Sequence, residues 1–488
     1  MAVVITGASG HIGANLVRAL VDNGKSVRAV VREDTRSIEG LDVECVKADI
    51  LDKASLLEAF EGAETVFHLA GFISILERDA DRLEIINVEG TRNVVAACLE
   101  HKVKRLVYTS SIEALMIPDG PDPIDESVDV EREKLTSAYS RSKYSASLAV
   151  LEGVERGLDA VIVHPTAVVG PHDNKPSLFG KAIIDFAHLR LPGFVPGGFD
   201  FVDVRDVASG LIAAAEKGRC GERYLLAGSF LTLDKLASIL HECTGAPRPR
   251  FTIPFWLTYL AALFTPMYYS LSRTRPRFTR QSMKMLDDGR RVSSEKAQKE
   301  LGYEPHPGEE GVRGAVEWFA ENDIIHPVFR SRKDPGIVVF FVAFVLLCVL
   351  GGIHQLSLGT LSSIAIGLGA LATGLAYAWI SWPVRYEITG KSLLVRGGPF
   401  RWDIPLEEIR EVRPSRNPIS APSWSLKRLR VSYHKGEKSH FVLVSPARQE
   451  DFLDKLKSAA THLEIEGNRL LLRTRPDESG NKHLGEKT

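Results

Sequence analysis

The sequence predicts an α/β protein: a doubly wound parallel sheet with a substrate lobe, then a two-helix transmembrane hairpin and a small C-terminal β-barrel. Three observations support this prediction. Apolar strands alternate with amphipathic helices over the first ~160 residues, as in parallel sheets covered on both faces. The 50 residues 335–384 contain no Asp, Glu, Lys or Arg, although such residues make up 25% of the chain. Short alternating strands follow this segment.

Composition excludes several classes of protein. The 488 residues carry a formal net charge of -1, which gives no electrostatic reason to expect a nucleic-acid partner. Five scattered cysteines without a CxxC pair argue against a disulfide framework and against a metal site. The start at Met1 has no basic region or cleavage site, so we expect no signal peptide. The predicted domains are residues 1–330 (with a substrate lobe at about 165–330), 335–383, 384–475 and a disordered tail, 476–488.

The first domain begins with a strand at Ala2–Thr6 and a helix at Ile12–Asn23, whose apolar residues form one stripe. Four further strands of the parallel sheet are predicted at Val27–Val31, Val43–Lys47, Thr65–Leu69 and Arg105–Thr109, and a fifth at Ala160–His164. The following 165 residues are less regular and richer in Pro and Gly. Long connections beyond the carboxyl ends of parallel strands commonly form substrate sites.

A glycine-rich loop, Thr6–Gly13, joins the first strand to the first helix and matches GxxGxxG. Gly7 permits a tight turn, Gly10 lets the backbone approach a pyrophosphate, and Gly13 permits close packing of helix on strand. The N–H groups and the dipole at the helix start then favour phosphate binding. This arrangement predicts a dinucleotide site.

Two residues at strand ends bear on the choice of dinucleotide. Arg32 follows the second strand, where an acidic residue would bind a ribose 2′-hydroxyl and an arginine would pair with a 2′-phosphate. Glu33 and Asp34 come next, so the choice stays open, with NADP(H) favoured over NAD(H). Asp49, after the third strand, is a candidate for binding the adenine amino group; capping of the helix near Asp52 is the alternative.

Tyr139 and Lys143 stand at i and i+4, which places them on one helix face. A neighbouring ammonium can lower the pKa of a tyrosine toward the range of a general base. YxxxK alone is common on surface helices. Ser111, at the end of the Arg105–Thr109 strand, adds a hydroxyl at the same sheet edge that could orient a substrate oxygen.

The charge-free segment divides into Ile337–Ile353 and Leu361–Ile380, each long enough to cross a bilayer. Small residues recur every four positions on two ridges, Gly359/Ser363/Gly367 and Ala365/Gly369/Thr373, and should allow close helix packing. Basic residues flank the hairpin on both sides, whereas its loop has none. The positive-inside rule therefore places both termini in the cytoplasm and predicts a multi-pass inner-membrane protein.

After Pro383, strands are predicted at Tyr386–Thr389, Ser392–Arg396, Arg401–Ile404, Leu429–Tyr433 and His440–Val444, followed by a helix at about 446–459. This region, through 394–405, 409–418 and 444–446, resembles a bacterial PH-like domain of the YyaB type. The resemblance implies a small barrel closed by one helix and names no ligand.

The first ~325 residues resemble the extended short-chain dehydrogenase/reductase family, most of all its dihydroflavonol-reductase-like and 3β-hydroxysteroid-dehydrogenase-like branches. The resemblance rests on the glycine loop and on five further strings in family order: Val66–Gly71, Asn87–Thr91, His164–Thr166, Val202–Ala208 and Leu301–Pro305. It implies that Tyr139 is the acid/base, that Lys143 binds the nicotinamide ribose and lowers the tyrosine pKa, and that Ser111 positions the substrate. It also implies cofactor contacts from Gly7, Ser9, Gly10, His11, Ile12, Gly13, Arg32, Asp49, Ile50, Leu69, Ala70, Gly71, Asn87, Thr109, Tyr139, Lys143, Pro165 and Thr166.

The same resemblance assigns other polar residues to structure. His68 and His164 are interpreted as packing residues, and Asp206 as a helix N-cap. Nucleotide-sugar dehydratases of the family carry Thr-Asp-Glu where this chain has Ser111-Ile112-Glu113. The apolar Ile112 argues against dehydration, and Glu113 is interpreted as solvated or structural.

These residues predict a membrane-anchored NAD(P)-dependent oxidoreductase that reduces a carbonyl or oxidises a secondary alcohol, on a hydrophobic, sterol- or isoprenoid-like substrate. An aromatic-rich helix at 254–264 and the arginines at 273, 275, 277 and 280 are compatible with a lipid-facing wall and equally with ordinary packing and surface charge. Two alternatives stay open: a nucleotide-sugar epimerase that retains NAD, and a non-catalytic NAD(P)-binding sensor. The oligomeric state is also open, with a homodimer as one candidate.

Overall fold

The computed structural model describes residues 2–117, 120–191, 193–249, 251–258, 286, 289–381, 384–417, 423–436, 438–467 and 469–472. The chain divides into two compact units, residues 1–322 and 323–488. The predicted domain boundary at 330 lies inside the second unit. The predicted tail, the arginines at 273–280 and most of the predicted 254–264 helix lie outside the described residues.

The first unit is built on a seven-stranded sheet in the order β3-β2-β1-β4-β5-β6-β9, with every neighbouring pair parallel. Its strands are β1 (Ala2–Thr6), β2 (Val27–Val31), β3 (Glu44–Lys47), β4 (Ala63–His68), β5 (Arg105–Thr109), β6 (Ala160–Pro165) and β9 (Arg223–Leu226). The predicted bounds of β1, β2 and β5 coincide with these. Strands β3 and β6 differ by one residue at one end, and β4 differs by two residues at its start and one at its end. The predicted doubly wound fold is confirmed.

Helices cover both faces of this sheet. One face packs residues such as Leu16 and Leu211, and the other packs residues such as Val94 and Val150. The helices are α1 (His11–Asp22), α2 (Lys53–Phe60), α3 (Ala80–Leu83), α4 (Gly90–Glu100), α5 (Ala138–Glu155), α6 (Leu178–Ala187), α7 (Val204–Lys217), α8 (Leu233–Thr244), α9 (Glu295–Leu301) and α10 (Gly308–Glu321). A π-helical turn, Glu84–Glu89, joins α3 to α4.

The predicted substrate lobe is not separate from the sheet. Both β9 and α7 come from the lobe segment: β9 forms the last strand of the sheet, and α7 packs on α1. The lobe also forms a small sheet of β7 (Ala167–Val169), β8 (Gly198–Asp203) and β10 (Ser229–Thr232). Helix α7 is capped by Asp203, whose carboxylate accepts from Arg205 N at 2.8 Å, and not by Asp206 as predicted. Asp206 instead accepts two hydrogen bonds from His306.

The second unit contains two antiparallel sheets. One has the order β11-β12-β13-β14 and the other β17-β16-β15-β19-β18. The strands are β11 (Val328–Arg330), β12 (Val384–Ile388), β13 (Ser392–Gly397), β14 (Phe400–Pro405), β15 (Ile409–Ser415), β16 (Arg428–Lys435), β17 (Lys438–Val444), β18 (Leu463–Glu466) and β19 (Arg469–Leu472). Strand β11 precedes the apolar hairpin and pairs with β12 after it. The hairpin is therefore inserted between neighbouring strands of one sheet.

The apolar segment forms helices α11 (Pro335–Ser357) and α12 (Leu361–Ser381), which are long and apolar enough to cross a membrane. A Cβ on Gly367 would lie 2.8 Å from the Gly352 oxygen, so the two backbones approach closely there. The predicted ridge Ala365/Gly369/Thr373 does not contact the other helix at Gly369, because a Cβ added there would have no described atom within 4 Å outside its own helix turn. Helix α13 (Gln449–Ala459) follows β17, starting three residues later than predicted, and packs Phe452 into the core of this unit.

Candidate active site

The site begins at the carboxyl end of β1, where the glycine loop turns into α1. Gly7 has φ +75, and a Cβ there would lie 2.6 Å from Ala70 N. A Cβ on Gly13 would lie 2.2 Å from the Gly7 oxygen. Gly10 is the N-cap of α1, and no side chain caps the first turn within the described residues. The loop thus lies close against β4 and leaves the helix N–H donors available to an anionic group.

The side chains next to these glycines serve the fold. His11 Nε2 donates toward the carbonyls of Gly170 and Pro171, at 3.2 and 3.1 Å. The Ser9 carbonyl accepts from Ser37 Oγ at 3.0 Å, and Ile12 packs against the apolar core. A cofactor at this loop would therefore meet the backbone of His11 and Ile12 more than their side chains.

The charged residues after β2 differ in whether they are already paired. Arg32 is exposed, and no ion pair of its side chain is found among the described residues. Asp34 pairs with Arg36 at 2.7 Å and with Lys175 at 3.1 Å. The Arg36 guanidinium holds the pKa of Asp34 well below its usual range. The Asp34 carboxylate is thus already neutralised, whereas Arg32 and Glu33 are both exposed.

Asp49 and Ile50 follow β3. Asp49 Oδ1 accepts from Leu51 N at 3.0 Å in a local turn, and Asp52 caps α2 through Ala54 N. The alternative of Asp49 as the cap of α2 is therefore wrong. Ile50 packs against Gly90, where a Cβ would lie 2.6 Å from Ile50 Cδ1.

The loop after β4 is held by Asn87. Its side chain accepts from Phe72 N at 2.7 Å and donates to Phe72 O and to Ser142 Oγ, both at 3.0 Å. A Cβ on Gly71 would lie 3.3 Å from Asn87 Oδ1 and 3.9 Å from Lys143 Nζ. Leu69 N donates to Thr6 O at 3.1 Å, which ties the loop to β1. The segment Leu69–Gly71 thus lies between the glycine loop and the Lys143 ammonium.

Lys143 is buried and points toward the end of β5. Its Nζ donates to the Thr109 carbonyl at 2.6 Å and lies 4.8 Å from the centre of the Tyr108 ring. Burial lowers the Lys143 pKa to about 7. An ammonium this poorly solvated gains from any further hydrogen-bond acceptor at the site.

Tyr139 and Ser111 meet on the same side of α5. Tyr139 is 9% exposed, and the Ser111 hydroxyl lies close enough to its phenol to influence the pKa of that group. Burial is the largest influence on the Tyr139 pKa and raises it above its ordinary value; the Glu113 carboxylate raises it further, and Ser111 opposes both. The predicted lowering of the Tyr139 pKa by Lys143 therefore stays a prediction for the enzyme with its cofactor bound.

Glu113 is an acidic residue whose position beside Tyr139 the sequence analysis did not predict. It is half-buried beside Tyr139, and Ser137 Oγ donates to its Oε2 at 3.5 Å. Burial raises the Glu113 pKa to about 7. Of the two predicted interpretations of Glu113, solvated or structural, the structure favours the structural one. The signal available in the sequence was its position two residues after Ser111, at the carboxyl end of a strand.

The two histidines are structural, as predicted. His68 contacts Thr6 Oγ1 at 2.7 Å and Thr91 Oγ1 at 3.0 Å. His164 Nδ1 donates to the Ser111 carbonyl at 2.9 Å and so fixes the backbone that carries the Ser111 hydroxyl. Burial lowers the His164 pKa to about 4, which keeps the ring neutral.

Pro165 and Thr166 lie at the end of β6 and face other partners. Pro165 is paired in the sheet with Leu226, and Thr166 Oγ1 donates to Asp200 Oδ1 at 2.8 Å. Their side chains are not joined to Tyr139 or Lys143 by any contact among the described residues. An apolar cavity of about 300 Å³ lies beyond His164, between Tyr144, Leu148, Val128 and Arg223. Ser111, Tyr139 and Lys143 do not line it.

Residues 3–227 match the family described as NAD dependent epimerase/dehydratase. The chain is 42% identical over 339 residues to "Sterol demethylase protein B" of Methylococcus capsulatus, covering 67% of this chain and all of that protein. The chain belongs to the NAD dependent epimerase/dehydratase family. It is an NAD(P)-dependent oxidoreductase of that family.

Further comparisons agree with this assignment. The chain is 33% identical to "Putative dihydroflavonol 4-reductase" of Synechocystis, covering 66% of this chain and 95% of that protein. A solved structure, "Crystal structure of gox2253", is 34% identical, with a TM-score of 0.59 over 66% of this chain and 99% of that one. Residues 384–460 match a "Bacterial PH domain", which confirms the resemblance of the C-terminal region. The epimerase/dehydratase family binds a nicotinamide cofactor, and the glycine loop leaves the backbone room that such a cofactor needs.

Proposed function

We propose that this protein uses NADP(H) to interconvert a secondary alcohol and a ketone on a sterol-like lipid, with Tyr139 as the acid/base. The observation that carries the proposal is the convergence of Ser111 on the Tyr139 phenol, while Lys143 Nζ lies beside Gly71 at the same sheet edge. A cofactor held by the glycine loop, Leu69–Gly71 and Lys143 would supply the hydride acceptor or donor.

The protein's own groups handle the substrate oxygen and its proton. The Ser111 hydroxyl would hydrogen-bond that oxygen, with its backbone fixed by His164. Tyr139 would take the hydroxyl proton when the alcohol is oxidised and return it when the ketone is reduced. Because burial and the Glu113 carboxylate both raise the Tyr139 pKa, proton transfer requires positive charge from the oxidised cofactor and from protonated Lys143.

Preference for NADP(H) is supported by the charges at the end of β2. Arg32 is exposed there, and the carboxylate of Asp34 is engaged by Arg36 and Lys175. An arginine matches the two oxygens of a phosphate better than a hydroxyl. We therefore assign Arg32 to the 2′-phosphate.

The proposed substrate class is supported by a relative of this chain, and the proposed location is supported by the two apolar helices. The relative that is 42% identical is named for sterol demethylation. Helices α11 and α12 would hold the enzyme at an inner membrane, where a lipid substrate is dissolved, with both termini in the cytoplasm.

The test uses the full-length protein in lipid nanodiscs with a panel of hydroxysterols and NADP⁺. The expected result is NADPH formation together with a ketone two mass units lighter than the sterol, and loss of both with Tyr139→Phe. Tightly bound NAD after purification, with no net use of NADP⁺ and turnover of a nucleotide sugar, would show an epimerase instead. Cofactor binding without turnover of any alcohol or ketone would favour the sensor.

A further inference from the structure

Each strand of the sheet β11–β14 carries one arginine in the same lateral row, which we call the arginine row. The register pairs Arg330 with Arg385, Arg385 with Arg396 and Arg396 with Arg401. Directly opposed residues of antiparallel strands point to the same face, with Cβ atoms about 5 Å apart. The next residue of β12, Tyr386, points into the core on the opposite face and is fully buried. The four arginines thus lie on the face opposite the Tyr386 side chain. Arg330 and Arg401 are exposed there, whereas Arg385 and Arg396 are partly buried beside Glu387.

Like charges placed directly opposite one another destabilise a sheet unless anions offset them. Glu387 supplies part of that offset: its Oε1 lies 3.0 Å from Arg385 Nε and 3.7 Å from Arg396 Nε. Arg330 and Arg401 are both exposed, and neither has an ion pair within the described ranges. The two ends of the arginine row therefore carry positive charge that no carboxylate of the described chain balances.

The arginine row lies at the end of the sheet where the chain enters and leaves the apolar hairpin. Helix α11 begins at Pro335, five residues after Arg330, and α12 ends at Ser381, four residues before Arg385. The carboxylates of this face, Glu387 and Asp403, lie in the next row of residues away from the hairpin. That row is two residues, about 7 Å, farther along the strands. Positive charge is thus closest to the apolar helices.

We propose that the arginine row binds the phosphates of anionic phospholipid headgroups in the leaflet adjoining the hairpin. This inference rests on the membrane insertion proposed above and is separate from the redox chemistry. A guanidinium binds two phosphate oxygens at once, and the exposed Arg330 and Arg401, at the two ends of the row, can each bind a headgroup phosphate. Phe400, 53% exposed in the turn beside the row, supplies an aromatic ring at the same end of the sheet.

The experiment measures phospholipid binding to the full-length protein in neutral detergent by native mass spectrometry. Phosphatidylglycerol, phosphatidylcholine and inorganic phosphate are titrated separately. The test variant is Arg330→Gln/Arg401→Gln, and Arg330→Lys/Arg401→Lys restores charge without the guanidinium. The matched control is Arg410→Gln/Arg413→Gln, which removes the same charge from exposed positions of β15. Thermal unfolding checks that all variants fold alike.

The wild type should bind phosphatidylglycerol more tightly than phosphatidylcholine. A basic residue near a membrane surface contributes about a five-fold effect, so the test variant should bind phosphatidylglycerol about 25-fold more weakly. The lysine variant should recover most of this loss, and the control should equal the wild type. Equal binding by test and control variants, or displacement of the lipid by millimolar inorganic phosphate, would overturn the proposal.

Membrane insertion is tested separately by alkaline carbonate extraction of membranes containing the wild type. Retention in the membrane with no preference for phosphatidylglycerol would refute the arginine row alone. Release into the supernatant would refute the proposed anchoring and, with it, this inference. Oxidation of a hydroxysterol in either case would leave the proposed chemistry standing.

Discussion

Replacement of Glu113 by glutamine should make the protein less sensitive to pH. Burial raises the Glu113 pKa to about 7 from an ordinary value of 4.5. The folded protein therefore holds a proton between these values that the unfolded chain has lost, and stability falls as the pH rises through this window. Because one pKa unit corresponds to about 1.4 kcal/mol, raising the pH from 5 to 8 should cost the wild type about 2–3 kcal/mol.

Glutamine has no proton to lose, so the free energy of unfolding of Glu113→Gln should lack this contribution. The assay is thermal unfolding of the full chain in detergent at pH 5, 6, 7 and 8. Between pH 5 and pH 8, the melting temperature of the variant should rise by about 5 °C relative to that of the wild type. The control, Glu58→Gln, removes an exposed carboxylate of the same unit and should follow the wild type.

The same substitution should act on Tyr139. Since the Glu113 carboxylate raises the Tyr139 pKa, its removal should lower that pKa, and the alkaline requirement for alcohol oxidation should move to lower pH. Parallel stability curves for variant and wild type would show that Glu113 is hydrated and ionised throughout. The electrostatic description of the site would then be refuted.

Three further substitutions test the cofactor site. Gly7→Ala should lower the free energy of unfolding by about 2 kcal/mol or more and abolish cofactor binding, because the added Cβ would meet Ala70 N at 2.6 Å. Unchanged thermal unfolding of this variant would contradict the description of the loop. The affinity of the wild type for NADP⁺, measured by calorimetry, should be about ten-fold weaker at pH 8 than at pH 6, because Lys143 loses its proton near pH 7. The Lys143→Met variant should bind NADP⁺ weakly, with an affinity that does not depend on pH in this range. Arg32→Ala should reduce the ratio of NADP⁺ to NAD⁺ affinity by about 10- to 100-fold; an unchanged ratio would remove Arg32 from the 2′-phosphate.

The sequence predicts features whose cause is local. The strand Ala2–Thr6 has a continuous apolar run before its final threonine, and the glycine loop after it needs only its own spacing to be recognised. The YxxxK spacing likewise places Tyr139 and Lys143 on one helix face whatever the tertiary structure. Local pattern was sufficient for these elements.

Features that depend on distant residues were missed. Strand β11 is three residues long, and it is a strand because it pairs with β12 across the 50-residue hairpin segment. The burial of Glu113 depends on the packing of α5 beside it, and the cap of α7 was placed on Asp206 because both Asp203 and Asp206 fit the local pattern. Such outcomes are decided by tertiary contacts that neither periodicity nor spacing encodes.

The central claim is that the Tyr139 hydroxyl exchanges the proton of the substrate oxygen. Its most direct test is the pair of measurements on full-length Tyr139→Phe in nanodiscs: affinity for NADP⁺ by calorimetry and sterol turnover by mass spectrometry. Loss of the hydroxyl should reduce turnover by about a thousand-fold or more while the affinity for NADP⁺ stays within a few-fold of wild type. Turnover within ten-fold of wild type, with cofactor binding intact, would contradict the claim.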